Sequence, residues 1–140
     1  MITVKKACYK ELCSIVYDAE VYDRISDDHC PAIKDFHLPL GGYKALTGFV
    51  DGNLASGFII NNENKLHYMV LKPYRKYARK LLNLSFKIMP MDVYCEIPSL
   101  YMSVINFAKK FGFKEVSIDK MSHLKNDELY DVHKLVYEVK

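Results

Sequence analysis

Residues 43–60, Tyr43-Lys44-Ala45-Leu46-Thr47-Gly48-Phe49-Val50-Asp51-Gly52-Asn53-Leu54-Ala55-Ser56-Gly57-Phe58-Ile59-Ile60, hold the plainest local signal in the chain. Tyr43 to Val50 and Leu54 to Ile60 are β-rich runs joined through Asp51-Gly52-Asn53. Asp-Gly and Gly-Asn supply the positive φ that a tight hairpin requires, so the two runs read as antiparallel neighbours. A second turn, Asn61-Asn62-Glu63-Asn64, leads into Leu66-His67-Tyr68-Met69-Val70-Leu71 and extends the hairpin to a three-stranded meander. Pro73 stops the third strand, because proline cannot donate to a ladder.

Upstream of the meander, Ile2 and Val4 alternate with polar neighbours before the pattern changes to Leu12, Ile15, Val16 and Ala19, so the chain opens with a strand and a helix. From Ser26 to Gly42 turn formers predominate and no period is visible; this predicts an irregular connection holding a short second helix. Downstream, Tyr77 to Phe86 alternates basic and apolar positions at helical spacing and runs up to Pro90. Val93 to Ile97 is a further strand. Pro98-Ser99 then opens a helix whose apolar face reads Leu100, Val104, Phe107 and Phe111, with Gly112 placed as its left-handed cap. Phe113 to Ile118 and Val132 to Val139 are the final strands, split by the polar stretch Met121 to Glu128.

At 140 residues the chain fits a single domain, 1–140. Half of its residues are hydrophobic and 26% are charged, the balance of a globular protein and not of a disordered tail. The apolar runs fall short of a membrane span, and Met1 to Lys6 lacks the apolar core of a signal peptide, so no membrane partner is expected. Cys8, Cys13, Cys30 and Cys95 form no C-x-x-C pair and read as reduced thiols. His29, Cys30 and His37 are the only sequence-local cluster of metal-binding atoms, and their spacing fits no standard zinc pattern, so no metal is expected. A net charge of +3 does not by itself direct the chain to nucleic acid. Its distribution says more: between Glu63 and Asp92 there is no acidic residue, while Lys65, Lys72, Arg75, Lys76, Arg79, Lys80 and Lys87 all fall there.

The order of elements and several short motifs resemble the GNAT superfamily of N-acetyltransferases over nearly the whole chain. Asp51-Gly52-Asn53 followed by Gly57 is similar to that family's hairpin and strand glycine. Leu71-Lys72-Pro73-Tyr74-Arg75 looks like the step that ends its fourth strand, with one residue fewer between proline and arginine. Val93-Tyr94-Cys95-Glu96-Ile97 through Phe111-Gly112-Phe113 matches its fifth strand and closing Gly-Phe pair. The resemblance implies an α+β fold with a mixed, mostly antiparallel sheet of six to seven strands and helices on both faces. It also implies a splay between the fourth and fifth strands in which acetyl-CoA or CoA binds.

In such a site the N–H groups of the next helix hold the pyrophosphate, and glycines let its oxygens approach the backbone. The resemblance places this cradle at Arg75-Lys76-Tyr77-Ala78-Arg79-Lys80, next to Leu71, with alanine and lysine where the family carries glycine. It places the family's general acid, a tyrosine, at Ala108, and a supporting asparagine at Tyr101. Alanine has no proton to give. Tyr101 is therefore the candidate acid from another turn, with interface packing as the alternative. His67, Tyr68 and Glu96 are candidates to deprotonate an amine, against packing or an outward-facing carboxylate. An oxyanion donor is expected from a strand bulge near Leu71.

The whole pattern with its altered loop also resembles small GNAT-like proteins encoded among the head-assembly genes of short-tailed bacteriophages. That implies a virion or assembly component with little or no catalysis, in the bacterial cytoplasm or in the particle, and with capsid, portal or DNA as partner. The other reading is an active acetyl-CoA-dependent N-acetyltransferase acting on an amine. The basic run has its own alternatives, namely CoA phosphates, a nucleic-acid backbone gripped between Tyr74 and Tyr77, or a solvated helix face.

Overall fold

The computed structural model describes residues 1–139. The chain begins with strand β1 (Ile2–Lys6) and helices α1 (Tyr9–Val16) and α2 (Ala19–Ile25), then the meander β2 (Tyr43–Val50), β3 (Asn53–Asn61) and β4 (Leu66–Val70). Helix α3 (Ala78–Ile88), strand β5 (Val93–Pro98), helix α4 (Met102–Phe111) and the hairpin β6 (Lys114–Lys125) and β7 (Glu128–Tyr137) complete it. Among the described residues no helix is long and apolar enough to cross a membrane.

The β2–β3 turn has φ 51° at Asp51 and 81° at Gly52, the two positive values of a primed hairpin turn. The seven strands divide into two hydrogen-bonded groups, ordered β1-β2-β3-β4 and β5-β7-β6. All named pairs within each group are antiparallel. A bulge at Ala55 separates the pairs Gly48 with Ser56 and Phe49 with Leu54.

Helices cover both faces because each presents one apolar stripe. On one face Leu12, Ile15 and Val16 of α1 and Val21 of α2 pack with Ile59 and Met69. On the other, Leu82 and Phe86 of α3 and Ile105 and Ala108 of α4 bury Leu46, Phe58, Ile60, Phe113 and Leu135, which draws the two strand groups together. Phe86 stands edge-on to Phe58 at 5.2 Å and stacks on Tyr137 at 4.4 Å.

Three expectations are corrected. The second helix lies at Ala19–Ile25 and not within 26–42, where the only helical turn is the 3-10 turn Ile33–Asp35. Asp18 starts it: its carboxylate accepts from the N–H of Glu20 and of Val21, both at 3.1 Å, so Ala19 begins a new helix and stays exposed. The last strands are longer than their apolar cores, for residues 121–128 are mostly hairpin, closed by Asn126 and Asp127 at φ 52° and 64°. The buried face of α4 is Ile105 and Ala108, with Phe107 and Phe111 half-buried beside it, while Leu100 precedes the helix in the 3-10 turn Ser99–Tyr101 and is exposed. Gly112 closes α4 at φ 129°, donating to the carbonyls of Ala108 and Lys109.

Candidate functional site: the cleft between β4 and β5

Strands β4 and β5 run parallel and meet at one rung, the bridge Lys65 with Tyr94, where the Tyr94 N–H donates to the Asn64 carbonyl at 3.1 Å. Beyond that rung they part. The Lys65 ammonium lies 2.9 Å from Glu96 and pins the closed end. The opening is a cleft of about 670 Å³, walled by β4, β5, α4 and the start of α3, and extending to α2 and β6.

The backbone of β4 supplies one wall. Asn61 N–H donates to the Lys65 carbonyl at 3.0 Å and Leu71 N–H to the Ala55 carbonyl at 2.8 Å, so the odd-numbered residues of this stretch bond to β3. By the alternation of an antiparallel ladder, the N–H and C=O groups of Tyr68 and Val70 face the cleft. The β3–β4 register runs without a shift, and the Leu71 N–H is engaged by Ala55. An oxyanion donor from a bulge at Leu71 is therefore corrected: the backbone donors aimed at the cleft are those of Tyr68 and Val70.

His67, Glu96 and Tyr101, far apart in sequence, all line this cleft. Surrounding protein lowers the His67 pKa, Lys65 acts in the same direction and Glu96 opposes both. Glu96 meets the Lys65 cation instead of standing free. Tyr101 ends the 3-10 turn before α4, under the Arg24 guanidinium of α2 at 5.4 Å from its ring centre. Burial first, and then the Asp23 carboxylate, raise its phenol pKa, so it stays protonated across the neutral range. Burial also raises the pKa of Tyr68, whose hydroxyl donates to the Ala78 carbonyl at 2.6 Å and so supports the first turn of α3. Ala108 reaches the cleft as a buried methyl group.

The basic segment does not enter as one loop. Residues Lys72–Tyr77 form a 3-10 run whose N–H groups turn back along the chain, Tyr74 to the Leu71 carbonyl at 2.9 Å and Ala78 to that of Arg75. Arg75 and Ala78 line the cleft, and the Arg75 guanidinium is bound to both carboxylate oxygens of Glu20. Leu71, Lys76 and Tyr77 lie outside its lining, Leu71 packing against the core beneath α1 and the Lys76 ammonium resting 5.2 Å from the Tyr77 ring centre. Arg79 and Lys80 line a separate depression with Asn83, Phe111 and Tyr137.

The sequence reading missed the far wall, where Arg24, Asp27, Asp119, Ser122 and His123 converge. His123 Nε2 is buried without a hydrogen-bond partner among the described residues. No spacing announces these residues, because α2 and β6 bring them together across about a hundred positions. Among the described residues no three His, Cys, Asp or Glu side chains converge on a metal position.

No family model matches the sequence, and a search of curated proteins finds no match. Solved structures do match. An N-acetyltransferase from Staphylococcus aureus Mu50 superposes with a TM-score of 0.72 at 16% identity, covering 99% of this chain and 97% of that one. A mutant spermidine N-acetyltransferase from Vibrio cholerae gives 0.73 at 13% identity, covering 97% and 92%. A ribosomal-protein-alanine N-acetyltransferase from Brucella melitensis gives 0.71 at 13% identity, covering 98% and 99%. Likeness at these identities speaks for backbone architecture, and together with the parted strands it shows that this chain has the GNAT fold.

Proposed function

We propose that this chain is a GNAT-fold protein that has given up most or all acetyl transfer and works as a binding or assembly component. One observation carries the reading: at the α3 end of the cleft, two backbone N–H groups and Arg75 are already engaged within the chain. The Tyr74 and Ala78 N–H groups are spent on 3-10 bonds and Arg75 is held by Glu20. A side chain stands at each place where a glycine would let phosphate oxygens reach the backbone. These features count against a pyrophosphate there. Ala108, at the place of the family's acid, supports the same conclusion.

Titration calorimetry with acetyl-CoA and CoA tests it. No heat at millimolar ligand is expected; micromolar binding abolished by Arg75→Glu would overturn the reading. The finer role, a head-assembly or virion component of a short-tailed bacteriophage with capsid or portal as partner, rests on the resemblance of the whole pattern. Mass spectrometry of purified heads and their precursors from a phage whose genome carries this sequence checks it, and absence from both, or the lack of any such phage, sinks it.

A second reading, an N-acetyltransferase acting on an amine, is favoured by the open cleft and by the Tyr68 and Val70 backbone edge inside it. Acetyl-CoA would supply the activated acyl group. In this reading His67, uncharged at neutral pH because its pKa is lowered, accepts the amine proton, and the Tyr101 hydroxyl stands in for the acid absent at Ala108. Thiol release from acetyl-CoA in the presence of a panel of amines, lost in Tyr101→Phe, would establish it.

A further inference from the structure

The exposed side of α3 is a stripe of cations with no ion-pair partner among the described residues. Lys76 in the 3-10 lead-in and Arg79, Lys80 and Lys87 on the helix are all exposed, with Asn83 between them. They recur at intervals of three, four and seven residues, along roughly 16 Å of helical rise. Elsewhere some cations are paired, as Lys5 is with Glu11, Lys109 with Glu115 and Lys120 with Asp131. Among the described residues none of Lys72, Lys76, Arg79, Lys80 or Lys87 has an ion-pair partner. Like charges three and four apart on a helix repel and cost stability. No acidic residue between Glu63 and Asp92 offsets that cost from within the helix or its flanks.

Beside the stripe is an aromatic floor. Arg79, Lys80 and Asn83 share a depression of about 430 Å³ with Phe111 and Tyr137. The two ring centres lie 5.5 Å apart, and Tyr137 is stacked on the buried Phe86 ring, so the floor is rigid before anything binds. Flat, fixed rings next to a row of cations suit a ligand that carries phosphates along one edge and unsaturated rings along the other.

We infer that this face binds single-stranded nucleic acid, its phosphates along Lys76, Arg79, Lys80 and Lys87 and a base against Phe111 and Tyr137. A duplex keeps its bases stacked inside and would use only the cations. The inference rests on the reading of the chain as a binding component and names the chemistry of a partner. It uses none of the residues that line the β4–β5 cleft, so it and the calorimetric test of that cleft fail separately.

Fluorescence anisotropy with a labelled twelve-nucleotide oligothymidylate tests it on the full chain. Four cations on a single strand give a slope of log affinity against log salt near −3, or about 50-fold weaker binding at 200 mM than at 50 mM salt. Arg79→Glu with Lys80→Glu should weaken binding at least 10-fold, whereas Lys34→Glu with Lys44→Glu, an equal charge change at exposed sites elsewhere, should leave most of it. Circular dichroism confirms that each variant is folded. Two results overturn the inference: no binding at 50 mM salt, or equal loss in both double variants. A duplex bound as tightly as the single strand overturns the role of the aromatic floor.

Discussion

Arg75 and Glu20 tie the segment ahead of α3 to helix α2, the guanidinium Nη2 donating to both carboxylate oxygens. That bond is the main reason the Glu20 pKa lies below its ordinary 4.5, with burial opposing it and Arg24 adding to it. A carboxylate with a depressed folded pKa stabilises the protein fully above its ordinary value. The contribution fades as pH falls through the lower folded value, so urea midpoints should drop below about pH 4.5 more in the native protein than in Glu20→Gln. Both partners are about a third exposed, so the substitution should cost under about 1 kcal/mol at pH 7. It should also release Arg75, while the side chains at the glycine places stay, so calorimetry should still show no heat with CoA.

Gly48 lies where β2 passes under α3. A Cβ there would stand 2.3 Å from Ser56 Oγ and 2.6 Å from Leu81 Cδ2. Ser56 and Leu81 are themselves buried, so neither has open space to retreat into. Gly48→Ala should lower stability by about 1–3 kcal/mol, read from urea unfolding. Gly41→Ala, with nothing within 4 Å of its Cβ position, is the control that should change little.

Lys125 is a buried cation at the end of β6, its ammonium donating to the Asp23 carbonyl and, at 3.0 Å, to that of Ser26. These carbonyls end α2, where a positive charge is favoured by the helix dipole. Its carboxylate contact at 3.3 Å adds little, because Asp23 is largely exposed. Lys125→Ala strands two acceptors and should cost about 1–3 kcal/mol. Hydrogen exchange should show the loss first as opening of α2 and the β6–β7 turn.

The four cysteines are free thiols in unequal surroundings. Cys8 and Cys30 are exposed, whereas burial pushes the Cys95 thiol up to about 12. Iodoacetamide at pH 8 should therefore label Cys8 and Cys30 while Cys95 stays unmodified in the folded protein, read by peptide mass spectrometry. Equal labelling of Cys95 would contradict its placement against the core.

The β2–β3 hairpin was legible because its turn must take positive φ, and Asp51-Gly52 is one of the few pairs that does so cheaply. Residues 119–122 hid the extension of β6 beyond Ile118: every one is exposed, so no alternation of apolar and polar residues marks it. In α4 the apolar residues cover more than one face, and spacing alone could not say whether Val104 and Phe107 or Ile105 and Ala108 point inward. The site was readable in part. His67, Glu96 and Tyr101 belong to the elements that border the splay, and those elements do frame one cleft. His123 and Asp27 come from segments read as irregular, and the commitment of Arg75 to Glu20 depends on where α2 lies, which local sequence does not encode.

The single rung between Lys65 and Tyr94 makes the width of the cleft a matter of packing and not of ladder steps. Hydrogen-bonded strands sit at one spacing or do not pair at all, whereas apolar contacts from α3 and α4 yield by degrees. The gap between the two strand groups is thus set by the side chains of α3 and α4 that pack across it, a dependence that a continuous seven-stranded sheet would not have.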